Sequence, residues 1–274
     1  MDIQTTVKLS NGYEMPLFGL GVFRSKEGHE VESAVLTALE AGYRHIDTAA
    51  VYGNERGVGR AVRSSGLSRG EIFITSKIWN SDQGYETTFD AFNESIERLD
   101  TDYIDLYLIH WPKGPLSAET WKALEEIYAS GRIKAIGVSN FLIHHLEELF
   151  PVCRIRPMVN QVEFHPYLQQ PDLQAFCRAE GIVLEAWSPI MRGQVNEDPV
   201  LQALAAKYGK SPVQVTLRWE LQKGVVTIPK SVHAARILSN ADVFDFEISL
   251  EDMARIDRLD RHFRTGADPD NFNF

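Results

Sequence analysis

Short apolar runs alternate with longer amphipathic stretches along nearly the whole chain, and this alternation constrains the fold more than any other feature. Eight runs are predicted to be strands, at residues 18–21, 43–47, 72–77, 104–110, 135–139, 158–162, 183–187 and 225–228. Between them apolar residues recur three and four positions apart, as Phe89, Phe92 and Ile96 do, which is typical of helices that pack on a sheet. Strands that alternate with helices indicate a parallel sheet. Glycines are predicted to end four of the helices, at Gly42, Gly66, Gly131 and Gly181.

The number of strand and helix units favours one closed architecture. Eight units in 274 residues fit an α/β fold of the (β/α)8 TIM barrel type, whose usual length is about 250 residues. Ahead of the barrel, residues 8–15 are predicted to form a β-hairpin with Asn11 and Gly12 as its turn. No linker rich in proline, glycine or serine interrupts the chain, so a single domain over residues 1–274 is expected. The alternative is a doubly wound open sheet, which usually has fewer strands per domain.

The charge balance limits the partners that such a chain can bind. Lys and Arg total 28 against 38 Asp and Glu, which gives a net charge of −10. An acidic surface repels nucleic acid and anionic membranes, so neither is expected as a partner. A small-molecule ligand that carries phosphate must therefore be met by a local cationic pocket.

The cysteines and the N-terminus bear on the compartment. The chain has two cysteines, Cys153 and Cys177, and no CxxC spacing, so neither a disulfide framework nor a Cys-based zinc site is expected. Free thiols suit a reducing cytosol, and the first residues have no apolar signal-peptide core. A cytoplasmic protein is therefore predicted. No long apolar stripe is left over for a large interface, so a monomer is expected.

In a barrel the functional residues lie where the strands end, at the carboxyl face. Nearly every predicted strand of this chain ends in a polar or otherwise special residue, and a barrel without a site would show this at only a few strands. The residues concerned are Gly21, Asp47, Lys77, His110, Ser139, Asn140, Gln161, Trp187, Ser188, Lys230 and Ser231. The pattern predicts a functional site at that face.

Three of these residues, together with Tyr52 just after Asp47, suit acid catalysis at a carbonyl. A tyrosine such as Tyr52 is a weak acid at neutral pH, and a nearby ammonium such as that of Lys77 is expected to lower its pKa. Asp47 can hold the lysine in place, and the imidazole of His110 can bind a substrate oxygen. Each residue alone has a structural explanation, as a helix cap, a solvated lysine, a packed aromatic ring or a core histidine. Their joint placement at consecutive strand ends favours the catalytic interpretation.

Other interpretations of the chain remain open from the residues alone. Glu163 and Glu185 lie near the ends of the sixth and seventh strands and could form the acid and base of a barrel hydrolase. A nucleotide-binding sensor or interaction subunit is a further alternative. Residues 57–62 superficially suggest a dinucleotide loop, but they lack the third glycine and lie within a helical pattern. The adjacent His144 and His145 are not expected to face one metal ion from a helix, and no metal site is predicted.

Five segments, in order, carry a resemblance to a known family. They are Gly-Tyr-Arg-His-Ile-Asp-Thr-Ala at 42–49 with Tyr-Gly-Asn-Glu at 52–55, Asp-Leu-Tyr-Leu-Ile-His-Trp-Pro at 105–112, Gly-Val-Ser-Asn-Phe at 137–141, Val-Asn-Gln-Val-Glu-Phe-His-Pro at 159–166 and Ile-Pro-Lys-Ser at 228–231. Together they resemble the signatures of the aldo-keto reductases over residues 7–260. The chain is most similar to the short bacterial members that reduce methylglyoxal, glyoxal or diketo sugar acids. The resemblance therefore implies reduction of aldehydes and α-dicarbonyls to alcohols.

The resemblance also implies a role for each matching residue. Asp47, Tyr52, Lys77 and His110 are the implied catalytic tetrad, with Tyr52 as the proton donor. The implied cofactor is NADPH, whose nicotinamide carboxamide would be held by Ser139, Asn140 and Gln161. Further implied cofactor contacts are Gly21, Val22, Trp187, Ser188, Pro189, Ile190, Lys230, Ser231, Val232, Arg236 and Asn240. An Arg fork at position 236 matches the 2′-phosphate and would favour NADPH over NADH by roughly 10- to 150-fold.

The substrate pocket is expected to be aromatic and open. Its implied wall consists of Phe23, Trp79, His110 and Trp111, and the neighbouring segments 112–117 and 191–198 are short. Three aromatic rings give little hydrogen-bond discrimination, so broad specificity for small carbonyl compounds is expected. Ser239 stands where many members of the family have a glutamate near the adenine, which bears on how strongly the cofactor is held.

Overall fold

The computed structural model describes all residues 1–274 and begins with a two-stranded hairpin. Strand β1 (Thr6–Lys8) pairs antiparallel with β2 (Glu14–Pro16), with Val7 opposite Met15. The turn between them is closed by the amide of Leu9, which donates to the Tyr13 carbonyl over 2.9 Å, and Gly12 supplies a φ of 88°. The Asn-Gly hairpin prediction is confirmed.

Eight further strands lie side by side, all parallel and in chain order, as a (β/α)8 barrel requires. They are β3 (Leu20–Gly21), β4 (His45–Asp47), β5 (Phe73–Ile78), β6 (Ile104–Ile109), β7 (Ile133–Ser139), β8 (Val159–Glu163), β9 (Val183–Trp187) and β10 (Val226–Thr227). Parallel bridges join Phe18 to Thr227 and Gly21 to Lys230, so the first and last strands meet. The predicted barrel is confirmed, and the doubly wound alternative is wrong.

Ten α-helices surround the strands. They are α1 (His29–Glu40), α2 (Glu55–Ser64), α3 (Tyr85–Leu99), α4 (Pro115–Ala129), α5 (Ile143–Leu149), α6 (Pro171–Ala179), α7 (Pro199–Tyr208), α8 (Pro212–Gln222), α9 (Ala234–Ala241) and α10 (Leu250–Asp257). One helix follows each strand from β3 to β8, whereas two helices separate β9 from β10. None of these helices is both long and apolar enough to cross a membrane.

Glycines explain how several helices end and how one packs. Gly42, Gly66, Gly131 and Gly181 follow helices with φ of 96°, 78°, 80° and 69°, which confirms the predicted helix ends. Gly59 lies inside α2, where a Cβ would collide with the backbone carbonyl of Leu99. The glycines of segment 57–62 therefore allow close helix packing, and the segment is not a dinucleotide loop.

The core lies between the barrel strands and the helices. Every residue of β5 and β6 is buried, which agrees with their interpretation as continuous apolar runs. Toward the carboxyl ends of the strands the interior becomes polar, and we call Asp47, Lys77, Gln161 and Glu185 the polar floor. Because buried polar groups are stable only with hydrogen-bond partners, the contacts of this floor determine the site above it.

Candidate active site

The parallel register brings the predicted tetrad together. Asp47 is the last residue of β4, Lys77 lies near the end of β5, and His110 directly follows β6. Tyr52 ends the single helical turn Ala50–Tyr52 that follows β4. Since the carboxyl ends of parallel strands meet at one face of a barrel, four residues spread over 64 positions converge on one site.

The centre of the site is a buried ion pair. The Nζ of Lys77 donates to Asp47 Oδ1 over 2.7 Å, to Asp47 Oδ2 over 2.8 Å and to the Thr48 carbonyl over 2.9 Å. The Lys77 side chain is 0% exposed. Burial disfavours the ammonium, but the attraction of Asp47 and Tyr52 outweighs it and raises the pKa of Lys77. The lysine is therefore a fixed positive charge.

Tyr52 lies above this charge and is partly exposed to the pocket. Its ring centroid is 5.1 Å from the Nζ of Lys77 and 5.7 Å from the His110 ring. Burial raises the pKa of Tyr52 to about 12, although the Lys77 ammonium acts in the opposite direction. The expectation of a net lowered pKa is wrong, because desolvation of the phenolate exceeds the attraction of the ammonium. The hydroxyl is thus fully protonated at neutral pH.

His110 is a neutral imidazole at the same mouth. Burial and the charge of Lys77 hold the pKa of His110 well below its usual value. Its Nδ1 is buried without a hydrogen-bond partner, and its ring packs edge-on against Trp79 at 5.2 Å. A neutral imidazole keeps one N–H donor, so this ring can bind an oxygen without adding a charge.

Three residues predicted to hold an amide lie side by side and bond to one another. The Oγ of Ser139 donates to the Gln161 carbonyl over 2.8 Å. Asn140, at φ 64°, donates through Nδ2 to the His110 carbonyl over 3.0 Å and to Ser139 Oγ over 3.1 Å. The indole Nε1 of Trp187 donates to Asn140 Oδ1 over 2.8 Å, which fixes the plane of that ring.

Only the nitrogen of the Gln161 side-chain amide forms hydrogen bonds within the floor. Its Nε2 donates to Asp47 Oδ2 over 2.7 Å and to Glu185 Oε2 over 2.9 Å. Both hydrogens of the amide nitrogen are therefore committed to carboxyl groups below. The oxygen Oε1 has no such commitment and is the part of Gln161 that can accept from a ligand.

Cations stand at the far edge of the mouth. Gly21 bridges to Lys230, so the end of β3, with Val22 after it, lies beside the segment that follows β10. Lys230 and Arg236 are both exposed, and neither forms an ion pair. Burial and the charge of Arg24 lower the pKa of Lys230. In a chain with a net charge of −10, these unpaired cations are candidates for contact with a phosphate group.

The remaining predicted contacts lie around the same opening. Trp187 is the last residue of β9, and Ser188 follows it with a left-handed φ of 56°. Pro189 and Ile190 come next in the chain, while Ser231 and Val232 follow Lys230 and Asn240 is buried on α9. All of them lie at or after the end of β9 or of β10, or on α9.

The aromatic wall has a partner that the sequence did not reveal. Phe274 stacks on Trp79 with ring centroids 5.7 Å apart and an interplanar angle of 10°, and its carbonyl accepts from Asn80 Nδ2 over 3.1 Å. Phe272 lies 5.0 Å from Trp111, which is 7% exposed. Residues 272–274 therefore pack on two aromatic residues of the predicted substrate wall. Two phenylalanines among the last three residues were the signal that could have shown this.

We call residues 263–274 the C-terminal strap, and Glu163 anchors its beginning. Glu163 Oε1 accepts from the amide and the hydroxyl of Thr265, each over 2.6 Å, and His165 lies 3.0 Å from it. Burial opposes the charge, but these hydrogen bonds hold the pKa of Glu163 below its usual value. Glu163 is thus an ionised anchor, whereas Glu185 points into the floor. The paired acid and base of a hydrolase are not formed, and that alternative is wrong.

The adjacent histidines also hold the strap. Asp270 Oδ1 lies 3.0 Å from His144 Nε2 and 3.4 Å from His145 Nε2. The expectation that these two side chains cannot face one point is wrong, because they lie in the first turn of α5 and the strap carboxylate approaches both. The amide of Leu142 donates to His145 Nδ1 over 3.2 Å, so the ring proton is on Nε2 and faces Asp270. Asp270 therefore lies beside both imidazole rings at ion-pair distance.

Comparisons with known proteins agree with this geometry. A model of the "Aldo/keto reductase family" matches residues 17–261. The glyoxal reductase of Bacillus subtilis (strain 168) is 57% identical over 272 residues and covers 99% of both chains. The methylglyoxal reductase DkgA of Escherichia coli (strain K12) is 45% identical over 272 residues and covers 98% of both.

Solved structures with the same fold are also found. An aldo-keto reductase, MGS-M4, from a Medee basin deep-sea metagenome library has a TM-score of 0.96 and 47% identity, covering 98% of this chain and all of its own. A point mutant of Gox0644, crystallised in complex with NADPH, has a TM-score of 0.93 and 42% identity, covering 99% of both chains.

Proposed function

Because the chain belongs to the aldo/keto reductase family, we propose that it uses NADPH to reduce aldehydes and α-dicarbonyls, such as glyoxal and methylglyoxal, to alcohols. The observation that carries the proposal is the buried Asp47–Lys77 pair beneath a protonated Tyr52 and beside a neutral His110. The relatives named glyoxal and methylglyoxal reductase support the substrate class.

Tyr52 acts as the proton donor. Because burial raises its pKa to about 12, the hydroxyl carries its proton at any physiological pH. As the carbonyl carbon is reduced, negative charge develops on the carbonyl oxygen, and the proton moves from Tyr52 Oη to that oxygen. The phenolate left behind is stabilised by the ammonium of Lys77, and Asp47 keeps that ammonium in place.

His110 orients the substrate. A neutral imidazole can donate a hydrogen bond to the carbonyl oxygen and so direct it toward the hydroxyl of Tyr52. The two rings lie edge to face with centroids 5.7 Å apart. An imidazolium would add a second cation beside Lys77, and the lowered pKa of His110 prevents this.

The residues assigned to the cofactor fit NADPH, which would supply the hydride when bound. Gln161 Oε1 can accept from the amino group of a carboxamide, and Ser139 Oγ or Asn140 Nδ2 can donate to its carbonyl oxygen in exchange for a present partner. Trp187 offers a ring already fixed by its bond to Asn140. Arg236 and Lys230 are unpaired cations suited to the 2′-phosphate. The other residues assigned to the cofactor are Gly21, Val22, Ser188, Pro189, Ile190, Ser231, Val232 and Asn240.

Small flat substrates suit the wall. Phe23, which is 49% exposed, packs 5.0 Å from the Tyr52 ring, while Trp79 packs against His110 and Trp111 follows His110 in the chain. Aromatic faces bind planar carbonyl compounds without demanding particular hydroxyl groups. Broad specificity follows, and it includes diketo acids and sugars as candidates.

We further propose that residues 1–274 form one domain and work as a cytoplasmic monomer. Free cysteines and the lack of a long apolar stripe support this assignment. Light scattering during gel filtration tests the oligomeric state, and a dimer mass would contradict it.

The proposed activity is tested with a substrate panel. Loss of NADPH absorbance is followed with glyoxal, methylglyoxal, benzaldehydes, aldoses and diketo acids, each with a control lacking protein. Turnover above the control with the small dicarbonyls is expected. Binding of NADPH without turnover of any carbonyl would instead favour a nucleotide-binding sensor.

A further inference from the structure

Glu185 is a buried carboxyl group at the centre of the barrel to which the proposed mechanism gives no part. Its side chain is 0% exposed. Oε2 accepts from Gln161, whereas Oε1 has no hydrogen-bond partner and lies 3.6 Å from His45 Nε2. An ionised carboxylate with one unsatisfied buried oxygen is costly, while a carboxylic acid places its proton on that oxygen. The surroundings of Glu185 therefore favour the acid form.

We propose that Glu185 is a positioning residue that stores a proton beneath the Asp47–Lys77 pair and, through the shared Gln161 amide, keeps that pair arranged for proton donation by Tyr52. The proposal rests on the proposed reductase function, because it gives Glu185 a part in that reaction.

One amide nitrogen joins the two carboxyl groups. Gln161 Nε2 donates to Asp47 Oδ2 over 2.7 Å and to Glu185 Oε2 over 2.9 Å. Two carboxyl groups that share a donor cannot both ionise cheaply in a buried site. Lys77 stabilises the ionised form of Asp47 rather than that of Glu185, because it contacts both oxygens of Asp47 and makes no hydrogen bond to Glu185. Asp47 keeps the charge and Glu185 keeps the proton.

The other close group does not neutralise Glu185. Burial, together with the charge of Lys77, lowers the pKa of His45 to about 3, so this histidine is neutral. Its Nε2 is 3.0 Å from the hydroxyl of Thr75. Burial, reinforced by the charge of Asp47, raises the pKa of Glu185 to about 8.

The other titratable groups near Glu185 change charge at other pH values. The pKa of Tyr52 is raised to about 12 by burial, and that of Lys77 lies above its usual 10.5. The pKa of His110 lies well below 6.5 because of burial and Lys77. Burial also raises the pKa of Asp47, but the ammonium of Lys77 and the amide of Gln161 oppose that shift, so Glu185 is the carboxyl group of the two that holds the proton.

The sign of the pH effect follows from the charge that appears. Loss of the Glu185 proton adds a negative charge beside the Gln161 amide, which then competes with Asp47 for that amide. The same charge raises the pKa of Tyr52 further and so opposes formation of its phenolate. The active form is the protonated one, so the rate is full below a pH of about 8 and falls as the pH rises through that value.

The kinetic test is Glu185→Gln, because glutamine has the shape of a neutral glutamate and cannot ionise. With saturating NADPH and methylglyoxal as probe, kcat/KM of the natural chain falls about tenfold per pH unit once the pH exceeds the pKa of Glu185. In Glu185→Gln the rate near neutral pH stays within about threefold of the natural chain, and the alkaline fall disappears. An unchanged alkaline fall, or a folded variant that is inactive at neutral pH, overturns the proposal.

Glu220 provides a matched control. It lies on α8, is 0% exposed, has an unpartnered Oε1 and accepts at Oε2 from the Thr227 hydroxyl over 2.6 Å. Burial raises its pKa well above the usual value. It makes no hydrogen bond to Asp47, Lys77 or Gln161, so Glu220→Gln keeps the alkaline fall. Disappearance of the fall in this variant as well would contradict a role specific to Glu185.

Infrared spectroscopy of the ligand-free protein reads the proton directly. A protonated carboxyl group has its own carbonyl stretch, and the natural chain at neutral pH shows one such contribution from Glu185 and one from Glu220. The first disappears as the pH passes about 8 and is absent in Glu185→Gln. If the natural chain shows no carbonyl stretch that disappears near this pH, the proposal is overturned, and this result needs no variant. This readout needs no turnover, so it separates failure of the proton store from failure of the reductase assignment.

Discussion

The polar floor and the C-terminal strap border the same pocket but are held in opposite ways. The floor residues lie on the barrel strands β4, β5, β8 and β9, and the parallel register fixes where each side chain points. The strap arrives from the end of the chain and is held by side-chain contacts, such as Phe274 on Trp79 and Asp270 with His144. The floor is buried, whereas Phe274 is 52% exposed.

This difference suggests a division of labour. Buried charges interact strongly because water does not screen them, so the floor controls the proton transfer for every substrate. Exposed aromatic contacts are weaker and adjustable, so the strap controls which substrates fit. Loss of a charge from the Asp47–Lys77 pair of the floor should reduce kcat for all carbonyls, and a change in the strap should alter KM for some of them.

The largest effect is expected from Lys77→Met. Removing the ammonium leaves Asp47 buried without its partner, which costs about 3–5 kcal/mol in free energy of unfolding. The phenolate of Tyr52 also loses its stabilising charge, so kcat should fall about 10²- to 10⁴-fold. Urea unfolding and steady-state kinetics measure the two effects.

Lys122→Met is the control for that variant. Lys122 pairs with Glu119 on the surface of α4 over 2.7 Å, and both side chains are close to half exposed. Exposed pairs contribute about 0–1 kcal/mol, so stability and kcat should hardly change. Equal losses in the two variants would contradict the special position of the floor.

A cation outside both regions should affect cofactor choice alone. Arg236→Gln removes the fork assigned to the 2′-phosphate and should raise KM for NADPH roughly 10- to 150-fold, with little change for NADH. Arg178→Gln removes another exposed and unpaired arginine, on α6, and should change neither value. The ratio of kcat/KM for NADPH to that for NADH tests this contact. An unchanged ratio in Arg236→Gln refutes the assignment of Arg236 to the 2′-phosphate.

The smallest effect is expected from Phe274→Ala. An aromatic pair contributes about 0.5–1.5 kcal/mol, so KM for methylglyoxal should shift about 2- to 12-fold while kcat stays nearly constant. Phe263→Ala is the control, because Phe263 also lies in the strap but contacts Arg261. A large loss of kcat in Phe274→Ala would show that the strap takes part in the chemistry.

The sequence reveals the floor better than the strap for a physical reason. Apolar runs mark the strands, and a polar residue after such a run marks the barrel mouth, as at Asp47 and Lys77. The strand ends differ from the prediction: of residues 18–21, Leu20–Gly21 form strand β3, and Phe18 makes only an isolated bridge to Thr227. The contacts of the strap join Phe274 to residues 194 and 195 positions earlier, and no local pattern reports such distant pairs.

The direction of the pKa shift of Tyr52 also could not be predicted from the sequence. Placement at neighbouring strand ends predicts that Lys77 lies close to Tyr52, but the sign of the net pKa change depends on how deeply the phenol is packed. That packing involves Phe23 and His110, which come from other strands of the barrel. Only the assembled structure shows that desolvation prevails.

Transfer of the Tyr52 proton is tested most directly by Tyr52→Phe, which keeps the ring packed against His110 and removes only the hydroxyl. With NADPH affinity checked by fluorescence titration, methylglyoxal reduction should fall about 10²- to 10⁴-fold while cofactor binding stays unchanged. A variant that binds NADPH normally and reduces methylglyoxal at the rate of the natural chain would contradict this assignment.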